Sequence, residues 1–291
     1  MSSSIRATAL ALAVLLLAPA LVAQRQTRTL FIKAVDQTGA PVPNLTAADF
    51  EVKEGDATRT ITSATLANGP MRVMLLIDTG SAWDSFTAQI KTSLVALVDA
   101  IPAPHEIGIV SLGRQARVRI QPTADHAKLN DIVSKFPLDG GGVAFLDGLR
   151  DSEERFQKKP GVRWPVYVLL VADENEASGN MQTEELNKIM LDMVTRATTV
   201  HAAVLEKMGP TAATQVATTL ASNTGGALEK VTTPAALPDQ MKRIAARIMA
   251  DFNSMATSYQ IEYVSDAKYK GSVDAGVTKS GVKSTLSLRR P

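Results

Sequence analysis

Two aspartates stand at the ends of uninterrupted apolar runs. Met74-Leu75-Leu76-Ile77 ends on Asp78, and Leu169-Leu170-Val171-Ala172 ends on Asp173. Such runs read as strands covered on both faces of a parallel sheet, so each carboxylate falls at a strand end. That edge of an open α/β sheet is where ligands bind, at the start of a helix. After Asp78 comes a turn of small residues, Thr79-Gly80-Ser81-Ala82, and then Trp83. Two carboxylates and a serine are hard oxygen donors of the kind that hold magnesium. Without a cation, facing carboxylates repel and at least one pKa rises. Two carboxylates in one cleft also leave a hydrolase as the least favoured reading.

The remaining reactive residues point to less. A glycine run, Gly140-Gly141-Gly142, precedes Val143 and a predicted helix, but no Gly-Lys-Ser/Thr follows, so it is not a phosphate-binding loop of that type. His105, His126 and His201 share no ligand spacing, and there is neither a Gly-x-Ser-x-Gly elbow nor a His-Glu-x-x-His helix. His201 lies inside a predicted strand and reads as a core histidine. Asp147 reads as first-turn helix electrostatics. Glu174, Glu176, Glu184 and Glu185 make either an acidic rim or favourable helix starts, the second being preferred. Lys242, Arg243 and Arg247 read as the wet face of a helix. Trp83 either caps the mouth of the site as an exposed anchor or packs within the first helix.

The elements that must position these residues fall into three stretches. Residues 24–68 carry strand patterns at 29–36, 50–54 and 60–66, separated by Gly- and Pro-containing turns. Residues 69–256 alternate strands with helices. Strands are expected at 73–77, 107–112, 116–120, 166–172 and 200–205. Helices are expected around Ile90 to Ile101, Leu129 to Val133, 144–157, 184–198, 214–221 and Leu237 to Phe252. This alternation predicts a doubly wound, mostly parallel sheet flanked by helices. Residues 257–291 return to strands at 259–264 and 283–288, joined by a polar loop with Gly271, Gly276 and Gly281. The expectation is that this tail pairs with 24–68 to form a small β-sandwich around the α/β body.

Bulk composition narrows the function. In 291 residues, 45% are hydrophobic and 21% charged, enough for a packed core. Thirty-one basic against 29 acidic residues give a net charge of +2, and aromatics are 4%, so a nucleic-acid partner is not expected. Arg6, the apolar stretch 9–17 and the small residues 18–23 read as a secretory signal over 1–23, too short for a spanning helix. The mature chain is therefore expected to be secreted or periplasmic, without membrane insertion. Cysteine is absent, which excludes disulfides, thiolate chemistry and lipoprotein cleavage.

Taken in order, Leu76-Ile77-Asp78-Thr79, Gly141-Gly142-Val143-Ala144-Phe145-Leu146-Asp147 and Leu169-Leu170-Val171-Ala172-Asp173 resemble the von Willebrand factor A domain. The likeness is to a form carried by secreted bacterial proteins. Val35-Asp36-Gln37-Thr38-Gly39 through Asp49-Phe50 resembles that group's N-terminal extension, Ala217 to Gly226 the helix and turn before the last strand, and Tyr259 to Tyr263 the strand after the last helix. The resemblance implies a mostly parallel sheet with one antiparallel edge strand. It also implies a magnesium site built from Asp-x-Ser-x-Ser, a later Thr and a second Asp. Asp78 and Asp173 match that pattern. Gly80 and Ala82 stand in the serine places, unless Ser81 serves for the second, and Val143 stands for the threonine. Valine keeps the shape of threonine and loses its hydroxyl. The resemblance thus implies a non-enzymatic protein-binding module whose binding face is Asp78, Thr79, Gly80, Ser81, Trp83, Gly141, Gly142, Val143 and Asp173. No tight cofactor is expected, and weak magnesium binding through Asp78, Ser81 and Asp173 is the alternative.

Overall fold

The computed structural model describes residues 25–162, 164–172, 176–178, 183–205, 209–266 and 268–287. The expected signal segment over 1–23, Asp173 and Glu174 lie outside them. The chain begins with β1 (Arg25–Val35), β2 (Phe50–Glu54), β3 (Ala57–Thr58) and β4 (Ile61–Leu66). The alternating body then runs β5 (Met71–Asp78), α1 (Thr87–Ala100), β6 (Glu106–Leu112), β7 (Ala116–Thr123), α2 (His126–Ser134), α3 (Phe145–Ser152), β8 (Trp164–Ala172), α4 (Thr183–Thr195), β9 (Thr199–Leu205), α5 (Ala212–Thr224), β10 (Leu228–Val231) and α6 (Leu237–Ala256). It closes with β11 (Ser258–Asp266), β12 (Val273–Val277) and β13 (Lys283–Ser287).

The body's sheet has the order β10-β9-β8-β5-β6-β7. All neighbours are parallel except the edge strand β7, which is antiparallel to β6. Side chains alternate across a strand, and in β5 this sends neighbours into two separate cores. Val73, Leu75 and Ile77 pack with residues of α1, α2 and α6. Met74 and Leu76 pack with residues of α3, α4 and α5. Burial on both faces explains why β5 and β8 are apolar without interruption.

The two ends of the chain pair with each other. β1 runs antiparallel to β11 from Arg25 opposite Asp266 to Lys33 opposite Ser258, and β13 lies on its other side. A second, three-stranded sheet has the order β12-β2-β3. Between the sheets lies a third core containing Leu30, Ile32, Phe50, Val52, Tyr259, Ile261 and Tyr263. Glu54 is buried here and is held by Arg28, Arg59, Tyr263 and Ser265.

Three expectations need correction. The polar loop of the tail contains a strand, β12, paired with β2 from Val273 opposite Glu54 to Val277 opposite Phe50. The helix expected over 144–157 changes to a wider π turn at Glu153–Gln157. There the buried Glu153 pairs with Arg196, and the Gln157 side chain donates to the carbonyls of Arg72 and Val166. The helix expected over 184–198 stops at Thr195.

Candidate functional site

β5 has β6 on one side and β8 on the other. The chain winds outward from β5 to β7 and then returns to place β8 beside β5. The winding direction reverses between these two strands, and the crevice at their carboxyl ends is the switch point where such sheets bind ligands. Asp78 closes β5 there and is fully buried. Its Oδ1 accepts the N–H of Gly80 at 2.7 Å, and its Oδ2 accepts the N–H of Ala172, the last residue of β8, at 2.8 Å. The carboxylate therefore ties the turn to the neighbouring strand through charge-assisted bonds.

Gly80 is fitted closely against its surroundings. A Cβ added there would lie 2.9 Å from Val143 Cγ2, 3.0 Å from Asp78 Oδ1 and 3.0 Å from the Gly141 carbonyl. Val143, 1% exposed, thus occupies the room a side chain at position 80 would need. The glycine run is bonded to the same turn: Gly140 N–H donates to Thr79 O at 2.9 Å, and Ser81 N–H donates to Gly141 O at 3.3 Å. Gly140 and Gly141 have φ of 64° and 79°, a region that glycine enters without a Cβ penalty. Gly142 is half-buried, and Ser81 is exposed on the turn.

Behind Val143, the chain is held by residues that follow β8. Val143 O accepts from Ala177 N–H at 2.8 Å. Glu176 Oε1 accepts the N–H groups of Phe145 and Ser178, each at 3.0 Å, and so caps the start of α3. Asp147 sits in the first turn of α3 with Arg150 on its Oδ1 at 2.7 Å. Glu184 and Glu185 lie in the first turn of α4, the favourable end for acids.

Trp83 is not an exposed anchor. It is fully buried in the core under α1, within a 3-10 segment at Ser81–Phe86 that leads into the helix. Its indole points into the core, where a large apolar ring gains most from burial.

The structure adds residues that sequence reasoning missed. Thr79 is fully buried, and its hydroxyl donates to Asp139 Oδ2 at 3.2 Å. Arg119 NH2 donates to both Asp139 oxygens, at 2.9 and 2.7 Å, while Arg119 Nε donates to Ser111 Oγ at 2.7 Å. Ser111 Oγ in turn donates to Asp139 Oδ2 at 3.2 Å. Partial burial by itself would raise the Asp139 pKa; the Arg119 hydrogen bond and charge, with the two hydroxyls, outweigh it and hold the carboxyl below its ordinary value. The one signal in the sequence was a run of arginines, Arg114, Arg117 and Arg119, around the β6–β7 turn. His105 and His201 serve the core: His105 Nδ1 accepts from Met71 N–H and His201 Nδ1 from Ala227 N–H. Among the described residues no group of three His, Cys, Asp or Glu side chains is placed to hold a metal ion.

No family model and no curated protein matches the chain. Solved structures do. A von Willebrand factor type A protein from Catenulispora acidiphila matches over 90% of this chain and 72% of its own, at 12% identity and a TM-score of 0.52. Proximal thread matrix protein 1 from the mussel byssus, in a form with a zinc-occupied MIDAS motif, matches over 61% of this chain at 13% identity and a TM-score of 0.49. This chain spans about half of that protein, 48% of its length. BatB from Bacteroides thetaiotaomicron matches over 62% of this chain and 99% of its own, at 12% identity and a TM-score of 0.46. No helix among the described residues is long and apolar enough to cross a membrane.

Proposed function

We propose that this chain, which has the von Willebrand factor A fold, is a secreted or periplasmic module that binds another protein directly, without a tightly held metal ion and without enzymatic activity. Its binding face is the set of loops at the carboxyl edge of the sheet: the turn after Asp78, the 140–143 turn and the segment following Ala172. The observation that carries this reading is the packing of Val143 into the space beside Gly80 and Asp78. In this fold a magnesium site at that place would draw on hydroxyls from the turn and from position 143. Here a glycine hydrogen and a valine methyl stand there, and Asp78 gives an oxygen to each of two backbone amides. Magnesium needs a near-octahedral set of oxygens. Asp78, Ser81 and Asp173 would leave about half of that set to water, a weak hold on the ion.

Calorimetric titration of the chain with magnesium and with manganese tests the metal half of the proposal. Heats no larger than dilution at submillimolar ion are expected; a micromolar dissociation constant overturns it. Capture from a cell-envelope extract, with and without chelator, tests the binding half. Capture that persists in chelator and is lost on Ser81→Trp supports direct protein contact by this face, and chelator-sensitive capture overturns it. Hydrolysis of an ester, peptide or glycoside panel that disappears in Asp78→Ala would overturn the non-enzymatic assignment.

A further inference from the structure

The β6–β7 turn and the start of β7 carry two arginines, Arg114 and Arg117, beside the site. Arg114 and Arg117, with Gln115 and Asp139, line a cleft of about 360 Å³. Arg114 lies over the glycine turn: a Cβ on Gly141 would meet its Nε at 2.9 Å. Gly141 itself accepts from Ser81 N–H, so the cleft is continuous with the turn after Asp78. Arg117 lies opposite Ser111 in the β6–β7 ladder.

The charges in this cleft do not cancel. Asp139 is already neutralised by Arg119, which donates to both its oxygens. Among the described residues Arg114 and Arg117 have no ion pair and no side-chain hydrogen bond. Both are exposed. Elsewhere the arginines of this protein are typically engaged, as in Arg28 and Arg59 with Glu54, Arg72 with Glu106, and Arg243 with Glu229. Two unpaired guanidiniums in one concave place leave several N–H donors aimed at solvent, in a planar fork that fits a carboxylate. Among the described residues the cleft has no aromatic lining on which a base or sugar could stack, and Asp139 in its wall disfavours an extended polyanion.

We infer that Arg114 and Arg117 form the specificity pocket of the binding face and take a glutamate or aspartate carboxylate from the partner protein. This deepens the protein-binding reading above and rests on it. The glycine turn contributes by carrying no side chain at Gly141, where Arg114 lies closest to it. Recognition then needs no cation, since the positive charge is supplied by side chains that stay ionised at any physiological pH.

Fluorescence anisotropy tests the pocket directly. The full chain, in chelator, is titrated against a fluorescein-labelled peptide alternating Glu and Gly, and against its Gln-Gly isostere. The Glu peptide is expected to bind, the Gln peptide not to compete, and Arg114→Gln/Arg117→Gln to weaken binding by about tenfold or more, as loss of charged hydrogen bonds does. Arg247→Gln, far along α6 and paired with Asp251, should leave binding unchanged. Equal binding of the two peptides, an unaffected double variant, or displacement by submillimolar inorganic phosphate overturns the inference. Envelope-extract capture separates this from the broader reading. Capture lost in Ser81→Trp but intact in the arginine double variant sinks the carboxylate pocket alone. Capture intact in both variants sinks the use of this face altogether.

Discussion

Gly80 and Val143 behave as one unit, since each is the size it is because of the other. Gly80→Ser drives a Cβ to 2.9 Å from Val143 Cγ2 and should destabilise the fold by about 1–3 kcal/mol, the usual cost of overfilling a packed site. Val143→Ala opens that space, so the double variant should be more stable than the sum of the two single losses predicts. Urea unfolding of the four proteins measures the coupling; strict additivity would show that the two residues do not share the space. The same pair shows what residue types and their order reveal at this scale. Asp78, Gly80, Gly141 and Val143 stood out because their types and order match a known pattern of strand ends and turns. Asp139 and Arg119 did not, because what joins them is a hairpin register and a turn some 20 residues downstream, and neither leaves a local signature. Trp83 was undecided between mouth and core since an aromatic just after a turn has no periodicity to orient it. The fold decides it by burying the ring against α1.

His201 illustrates how elements are joined. Gly225, with φ of 75°, ends α5, and Gly226 passes so close to Val200 O that a Cβ would sit 1.9 Å away. Immediately after, Ala227 N–H donates to His201 Nδ1, so β9 holds the entry to β10. Nδ1 accepts only when it carries no proton. Desolvation, aided by the charge of Arg247, lowers the His201 pKa to about 4. The folded pKa lies below the unfolded one, so the unfolded chain binds the proton first as pH falls. The loss of stability is absent well above pH 6.5, begins near pH 6.5 and grows down to about pH 4. At pH 5 the penalty relative to pH 7 should be about 2 kcal/mol, and His201→Gln should remove that part of the slope in urea unfolding. An identical pH slope in the variant would contradict the assignment. At this scale most of the body was legible. Strands buried on both faces announce themselves as apolar runs, and α1 and α6 as stripes. β12 escaped because Val273-Asp274-Ala275-Gly276-Val277 is short, half exposed and interrupted by glycine, so its place depends on the partner strand β2 rather than on its own residues. The π turn escaped because a widened helix turn keeps the same composition as an ordinary one.

The whole molecule is a body threaded into a sandwich made from both chain ends. β11 lies between β1 and β4, so the sandwich cannot close until synthesis has passed the body. A chain ending at Ala256 should keep the body's strand ladder but leave β1, β2 and β4 without their partners β11 and β12. Limited proteolysis should then cut within 25–66 at least tenfold faster than in the full chain, with later residues protected for longer. Equal protection of the two parts would show that the N-terminal strands close a core by themselves. The sandwich meets the body where β5 begins, since Phe31, Ala67 and Met71 share a core with α1 and α6. The switch-point crevice is at the other end of that strand, about 25 Å away at the usual rise per residue. This layout has a mechanical meaning. Suppose tension is applied at residue 25 and residue 287. β13 is antiparallel to β1, with Ser287 opposite Phe31 and Lys283 opposite Val35, so both handles leave from the same end of the pair. β13 then peels from β1 one ladder step at a time, while β1 stays laddered to β11 from Arg25 to Lys33. The turn after Asp78 lies outside those ladders. A pull of this kind would loosen the sandwich at its edge strand while the crevice at the far end of β5 kept its shape.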